Sequence, residues 1–138
     1  MRKLKCRFKK VLATRWTAFW VSIITVGIGI FYFINPFILA DSKSYEVINI
    51  VSAVIGKYGI PIAFVTIGSL KLLSLIFDWK IKKTFLNLLI ILYAVMFIGF
   101  LIQNFNGAPN TGFLFTFGYF LVLIGVLNEE EIEDGFKN

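Results

Sequence analysis

At 138 residues the chain has room for one domain, and 58% hydrophobic residues with a mean hydropathy of +0.82 place it outside the composition of soluble domains of that size. The formal charge of +6 does not mark a nucleic-acid-binding face, because the basic residues gather at the boundaries of apolar runs rather than on an independent polar surface. A lone cysteine, Cys6, excludes an internal disulfide, and with no histidine beside it the usual zinc and haem ligand sets are excluded too.

Four apolar runs follow one another, each close to the roughly 20 residues a helix needs to cross about 30 Å of hydrocarbon. A soluble core supplies one such run, not four. The expected fold class is therefore an all-α integral membrane protein, four transmembrane helices in two hairpins. A basic amphipathic N-terminal helix and a short extracytoplasmic interfacial helix complete a single membrane domain over 1–138.

Residues 1–15 hold Arg2, Lys3, Lys5, Arg7, Lys9, Lys10 and Arg15 with no acid, and Leu4, Phe8, Val11 and Leu12 recur at helical spacing. This pattern predicts a basic amphipathic helix whose first six basic residues contact anionic lipid headgroups. Cys6 reads as an ordinary thiol, with juxtamembrane acylation as the functional alternative. Trp16 and Trp20 open the first span, expected over 16–40. A cleaved signal peptide is disfavoured, because the apolar run exceeds twenty residues and Ile38 would stand at position −3 of the cleavage site.

Val47, Val51, Val54 and Tyr58 then repeat on one face, predicting a short interfacial helix on the far side. Gly56 and Gly59 can end it, and Pro61 suits the first turn of a second span over 60–79. One continuous tilted helix from Ile48 to Phe77 is the alternative. A basic turn with Lys80, Lys82 and Lys83 leads to a third span over 84–102. An uncharged loop with Asn104, Asn106, Gly107, Pro109 and Asn110 leads to a fourth over 112–127. The remainder, 128–138, reads as an acidic tail.

With the N-terminus inside, eleven of the 14 Lys and Arg fall on the cytoplasmic side, Lys43 and Lys57 fall outside, and Lys71 lies within a span. That bias orients the chain with both termini cytoplasmic. Low arginine with abundant Ile, Lys, Phe and Asn points to an AT-rich bacterial coding sequence, and the dense positive-inside bias suits a bacterial inner membrane.

Few residues break the apolar pattern. Ala18, Ser22, Thr25 and Gly29 make a stripe of small residues on one face of the first span, and Gly118 and Gly125 repeat every seven residues in the fourth. Small residues let backbones approach closely in lipid, so all six are expected helix-packing positions, within the chain or between subunits. Asn35 and Asn87 lie near an interface and read as solvated amides. Lys71 is the exception. About 12 Å deep at 1.5 Å per residue, it is too deep for snorkelling without tilt or bilayer thinning. It is expected to form an intramembrane polar site with Ser74, Asp78 or a helix C-terminal carbonyl. Gly27 and Gly29 make no phosphate loop, since no strand precedes them, and no nucleophile has a visible base.

The expected function is accordingly a non-enzymatic, cofactor-free membrane subunit that associates through its helices with a membrane or cytoplasmic partner, or with itself. No nucleic acid is involved. The alternative is a homo-oligomeric pore or channel, a holin-like permeabiliser. A pore should carry a polar stripe along a whole span, whereas Thr66, Ser69, Lys71 and Ser74 occupy only the inner half of the second.

Overall fold

A computed structural model describes residues 11, 15–36, 38, 56–106 and 111–135. Among them are four helices, α1 (Trp16–Ile34), α2 (Gly59–Phe77), α3 (Lys82–Phe105) and α4 (Gly112–Gly135), and no strand. All four are long and apolar enough to cross a membrane, the apolar stretch of α4 running from Gly112 to Ile132, which is the pattern of a multi-pass membrane protein. Apart from Val11 and Arg15, the basic segment over 1–15 lies outside the described residues, as does the expected interfacial helix at 47–55.

The helix ends differ from the sequence expectations for identifiable reasons. α1 stops at Ile34 rather than Ala40, because Pro36 forces Asn35 out of the helical region, to φ −118 and ψ 60. The Asn35 side-chain amide then donates to the Phe31 carbonyl at 3.0 Å. Gly56 adopts φ +80, so a single helix from Ile48 to Phe77 does not form, and α2 starts at Gly59 with Pro61 in its first turn. α2 ends at Phe77, two residues before the expected Trp79. There Asp78 takes the left-handed conformation (φ 53, ψ 47), and the Trp79 N–H closes on the Ser74 carbonyl at 3.0 Å, a Schellman-type stop with Asp in the usual glycine position.

α3 exceeds the expected 84–102 at both ends. α4 runs well past Leu127, so the first part of the expected tail is helical. Acidic side chains at a helix C-terminus oppose the helix dipole, so the extension needs a tertiary cause. Glu130 supplies one, as described below.

Helices consecutive in sequence pack side by side, and α4 touches α1 only sparingly, giving an uneven ring of four. Neither diagonal, α1 to α3 or α2 to α4, brings backbones together. The tightest seam is α1 against α2. A Cβ on Gly29 would stand 2.8 Å from the Val65 backbone nitrogen, and one on Gly68 would stand 3.2 Å from that of Val26, so each glycine admits the other helix. Ala18, Ser22, Thr25 and Gly29 are all buried.

The interior is filled by Phe64, Leu75, Leu86, Leu89, Tyr93, Met96, Phe100, Leu123 and Val126. Phe64 meets Tyr93 edge-on at 5.4 Å, and Tyr119 stacks on Tyr93 at 5.5 Å. Ile30, Ile62, Leu73, Ile91, Ile98 and Leu121 point outward, the arrangement expected where the solvent is hydrocarbon. Several hydroxyls within the spans are satisfied by their own helices: Ser22, Thr66 and Thr116 each donate to a carbonyl four residues back.

Candidate functional site

Charge inside an apolar bundle is costly unless it is paired, so the first question is where Lys71 goes. The side chain is 1% exposed and runs across the bundle interior from α2 to α4. Its ammonium donates to Glu130 Oε1 at 2.6 Å and to the Lys82 carbonyl at 3.1 Å, at the first turn of α3. One lysine thereby joins three helices.

This corrects the partners expected from sequence. Ser74 is buried next to Lys71, but its hydroxyl donates to the Lys71 backbone carbonyl at 2.7 Å and leaves the ammonium alone. Asp78 is held by its left-handed turn toward α1 and α3. There it accepts from Arg15 Nη1 at 3.2 Å and lies 3.6 Å from Lys82 Nζ. The helix carbonyl that Lys71 meets belongs to the start of α3 and not to a helix C-terminus.

Glu130 was missed because it sits inside the run Glu129, Glu130, Glu131, which reads as solvated tail. A signal was present. Leu123, Val126 and Glu130 fall at i, i+3 and i+7, one face of a helix continued past Leu127, and all three are buried while Glu129 and Glu131 are exposed. The second carboxylate oxygen of Glu130, Oε2, is buried with no hydrogen-bond partner among the described residues.

A second bridge crosses the other diagonal about midway along the bundle. Tyr93 of α3 reaches Thr25 of α1, hydroxyl to hydroxyl, at 3.1 Å. The Thr25 proton is given to the Val21 carbonyl at 2.7 Å, which leaves the tyrosine as donor. Between the two bridges Leu86, Leu89, Leu123 and Val126 form a buried apolar layer.

Beyond the Tyr93 layer, away from Lys71, the sparse contact between α1 and α4 leaves a crevice of about 630 Å³. Its walls include Ile24, Gly27 and Phe31 from α1 and Gly112, Phe115 and Tyr119 from α4, with Phe64, Tyr93 and Met96 as floor. It opens sideways, at the level of the apolar helix faces.

Of the remaining expected positions, Gly118 and Gly125 do not pack within the chain. Both are exposed, and a Cβ built on either meets nothing within 4 Å, because the face of α4 that carries them is opposite the buried Leu123, Val126 and Glu130. Arg2, Lys3, Lys5, Arg7, Lys9 and Lys10 lie outside the described residues. Among the described residues no three His, Cys, Asp or Glu side chains gather in a way that could hold a metal ion.

Fold and site together define a class: a four-helix, multi-pass membrane bundle cross-braced by one ionic and one neutral bridge. Compared with known protein families, curated proteins and solved structures, the chain matches none.

Proposed function

We propose that the chain is a non-catalytic, helix-associating subunit of a membrane assembly, seated in a bacterial inner membrane with both termini cytoplasmic. Eleven of the 14 Lys and Arg would then lie on the cytoplasmic side, with the Lys71 bridge just beneath that surface. The observation that carries the reading is the outward face of α4. Gly118, Leu121, Gly125 and Asn128 are all exposed along one stripe, so two glycines and an amide are presented where hydrocarbon would otherwise be met by branched aliphatic side chains. Small residues permit close helix approach in lipid, and the amide at the inner end of the stripe is placed to hydrogen-bond a partner helix. The partner is a second copy or another membrane protein, and anionic headgroups are the expected lipid contacts of the basic N-terminus.

The decisive measurement is the mass of the particle purified in nanodiscs, for the native chain and for Gly118→Leu/Gly125→Leu. Association through α4 is expected to give a particle larger than one chain that the paired substitution reduces to a single chain. A particle of one chain, unaltered by the substitution, removes α4 as the association surface. A large conducting ring would put the homo-oligomeric pore in its place.

A further inference from the structure

α4 is the helix least held by apolar packing. It lies along α3, is parted from α1 by the crevice over its outer half, and has no backbone contact with α2. Across that last diagonal runs the Lys71–Glu130 pair at 2.6 Å. A buried ion pair gains Coulomb energy but loses the hydration of both charges, so its net contribution lies near balance, whereas removing one charge leaves the other stranded. At Glu130 the balance is tighter still, since Oε2 is buried with no donor among the described residues. An element seated by a near-balanced charged contact is a two-state element that a change of charge can bias.

We propose that the Lys71–Glu130 pair is an acid-sensitive latch seating the inner half of α4 in the bundle, with a proton on the Glu130 carboxylate as the ligand that releases it. The charged groups around it fit a proton rather than a metal ion. Arg15 just before α1, Lys71 from α2, Asp78 in the turn after it and Lys82 from α3 bring three cations and one carboxylate, and that carboxylate is engaged by Arg15 and Lys82. Glu129 and Glu131 on α4 point outward. A metal cation would meet three positive groups and too few oxygens. A proton needs only the unpartnered Oε2, and once bound it cancels the charge that Lys71 requires. Release would carry Val126 and Leu123 away from Leu86 and Leu89, extending the lateral crevice through the apolar layer toward the Lys71 end. The inference does not depend on whether α4 also binds a partner subunit.

The test uses the full chain in nanodiscs, with Cys6→Ser and nitroxide labels at Lys80→Cys and Ile132→Cys, both exposed positions. Interlabel distances are read by electron spin resonance at neutral pH and near pH 3, where carboxylates in water are largely protonated. A single short distance is expected at neutral pH, with a second population on the order of 10 Å longer, about one helix diameter, appearing reversibly in acid. Glu130→Gln is expected to show the longer population already at neutral pH, and Lys71→Leu/Glu130→Leu to show one distance at both. No acid-induced population in the native chain overturns the proposal, as does the same acid response in the double variant or an unaltered short distance in Glu130→Gln. Should Glu130→Gln fail to fold, the comparison of the native chain with the double variant decides alone.

Discussion

The two bridges across the bundle solve one geometrical problem with different chemistry. In each, a long side chain spans a diagonal that no backbone contact covers, Tyr93 to Thr25 about midway and Lys71 to Glu130 near the charged end. The neutral bridge degrades gently, because Thr25 keeps its bond to Val21 if the tyrosine hydroxyl is lost. The ionic bridge does not, because loss of either partner strands a charge in the buried interior. A brace made of charge is therefore conditional in a way that a brace made of hydroxyls is not.

The largest expected effect tests that asymmetry. Lys71→Met should destabilise the bundle by about 3–5 kcal/mol by leaving the Glu130 carboxylate unpaired. Lys71→Met/Glu130→Leu should recover most of that loss. Unfolding of both variants in mixed detergent micelles reads the difference, and equal stability of single and double variants would contradict the buried-pair account. Next in size is Gly29→Leu. Its side chain would enter the space of the Val65 backbone nitrogen, and overpacking of this kind costs about 1–3 kcal/mol. The same measurement on Gly125→Ala, where nothing lies within 4 Å, should move stability by no more than about 0.5 kcal/mol in a single chain.

Tyr93→Phe sharpens the comparison from the neutral side. It keeps the stack on Tyr119 and the edge contact with Phe64 and removes one hydrogen bond, so a loss of about 0.5–1.5 kcal/mol is expected. A loss as large as that of Lys71→Met would mean that the two bridges are equivalent after all. A smaller loss than for Tyr93→Phe is expected for Asp78→Asn. Its carboxylate is 65% exposed and its pairs with Arg15 and Lys82 are solvent-screened, so no more than about 1 kcal/mol should be lost, and less in high salt. Thermal denaturation at two salt concentrations checks both the size and the screening.

What the sequence displays and what it hides divide along physical lines. Four spans were legible because lipid demands about twenty apolar residues per crossing, a requirement that leaves its mark residue by residue. The α1 stripe was legible for a related reason, since Ala18, Ser22, Thr25 and Gly29 share a face only if that segment is helical. Helix ends were less so: Pro36 and Gly56 carried the information, but apolar residues such as Phe37 and Ile38 masked the stop. That Lys71 needed a partner followed from the cost of burying it, while which partner depended on how far α4 continues. Glu130 lies 59 residues away behind a stretch that composition alone assigns to water. Gly118 and Gly125 were legible as a shared face of small residues, but spacing does not say whether such a face meets its own chain or another.

The turn at Asp78 has a consequence for how the bundle can deform. Only residues 78–81 join α2 to α3, and Asp78 ties that joint to Lys82 at the start of α3 and to Arg15 at the start of α1. The four helices are thus hinged like the leaves of a folding screen, stiffest at the glycine-lined α1–α2 seam, while α1 and α4 are its outer leaves and meet edge to edge without any direct covalent joint. Strain imposed on this molecule, by lateral pressure, by membrane thickness or by a binding partner, will be relieved along that one edge before it reaches any other.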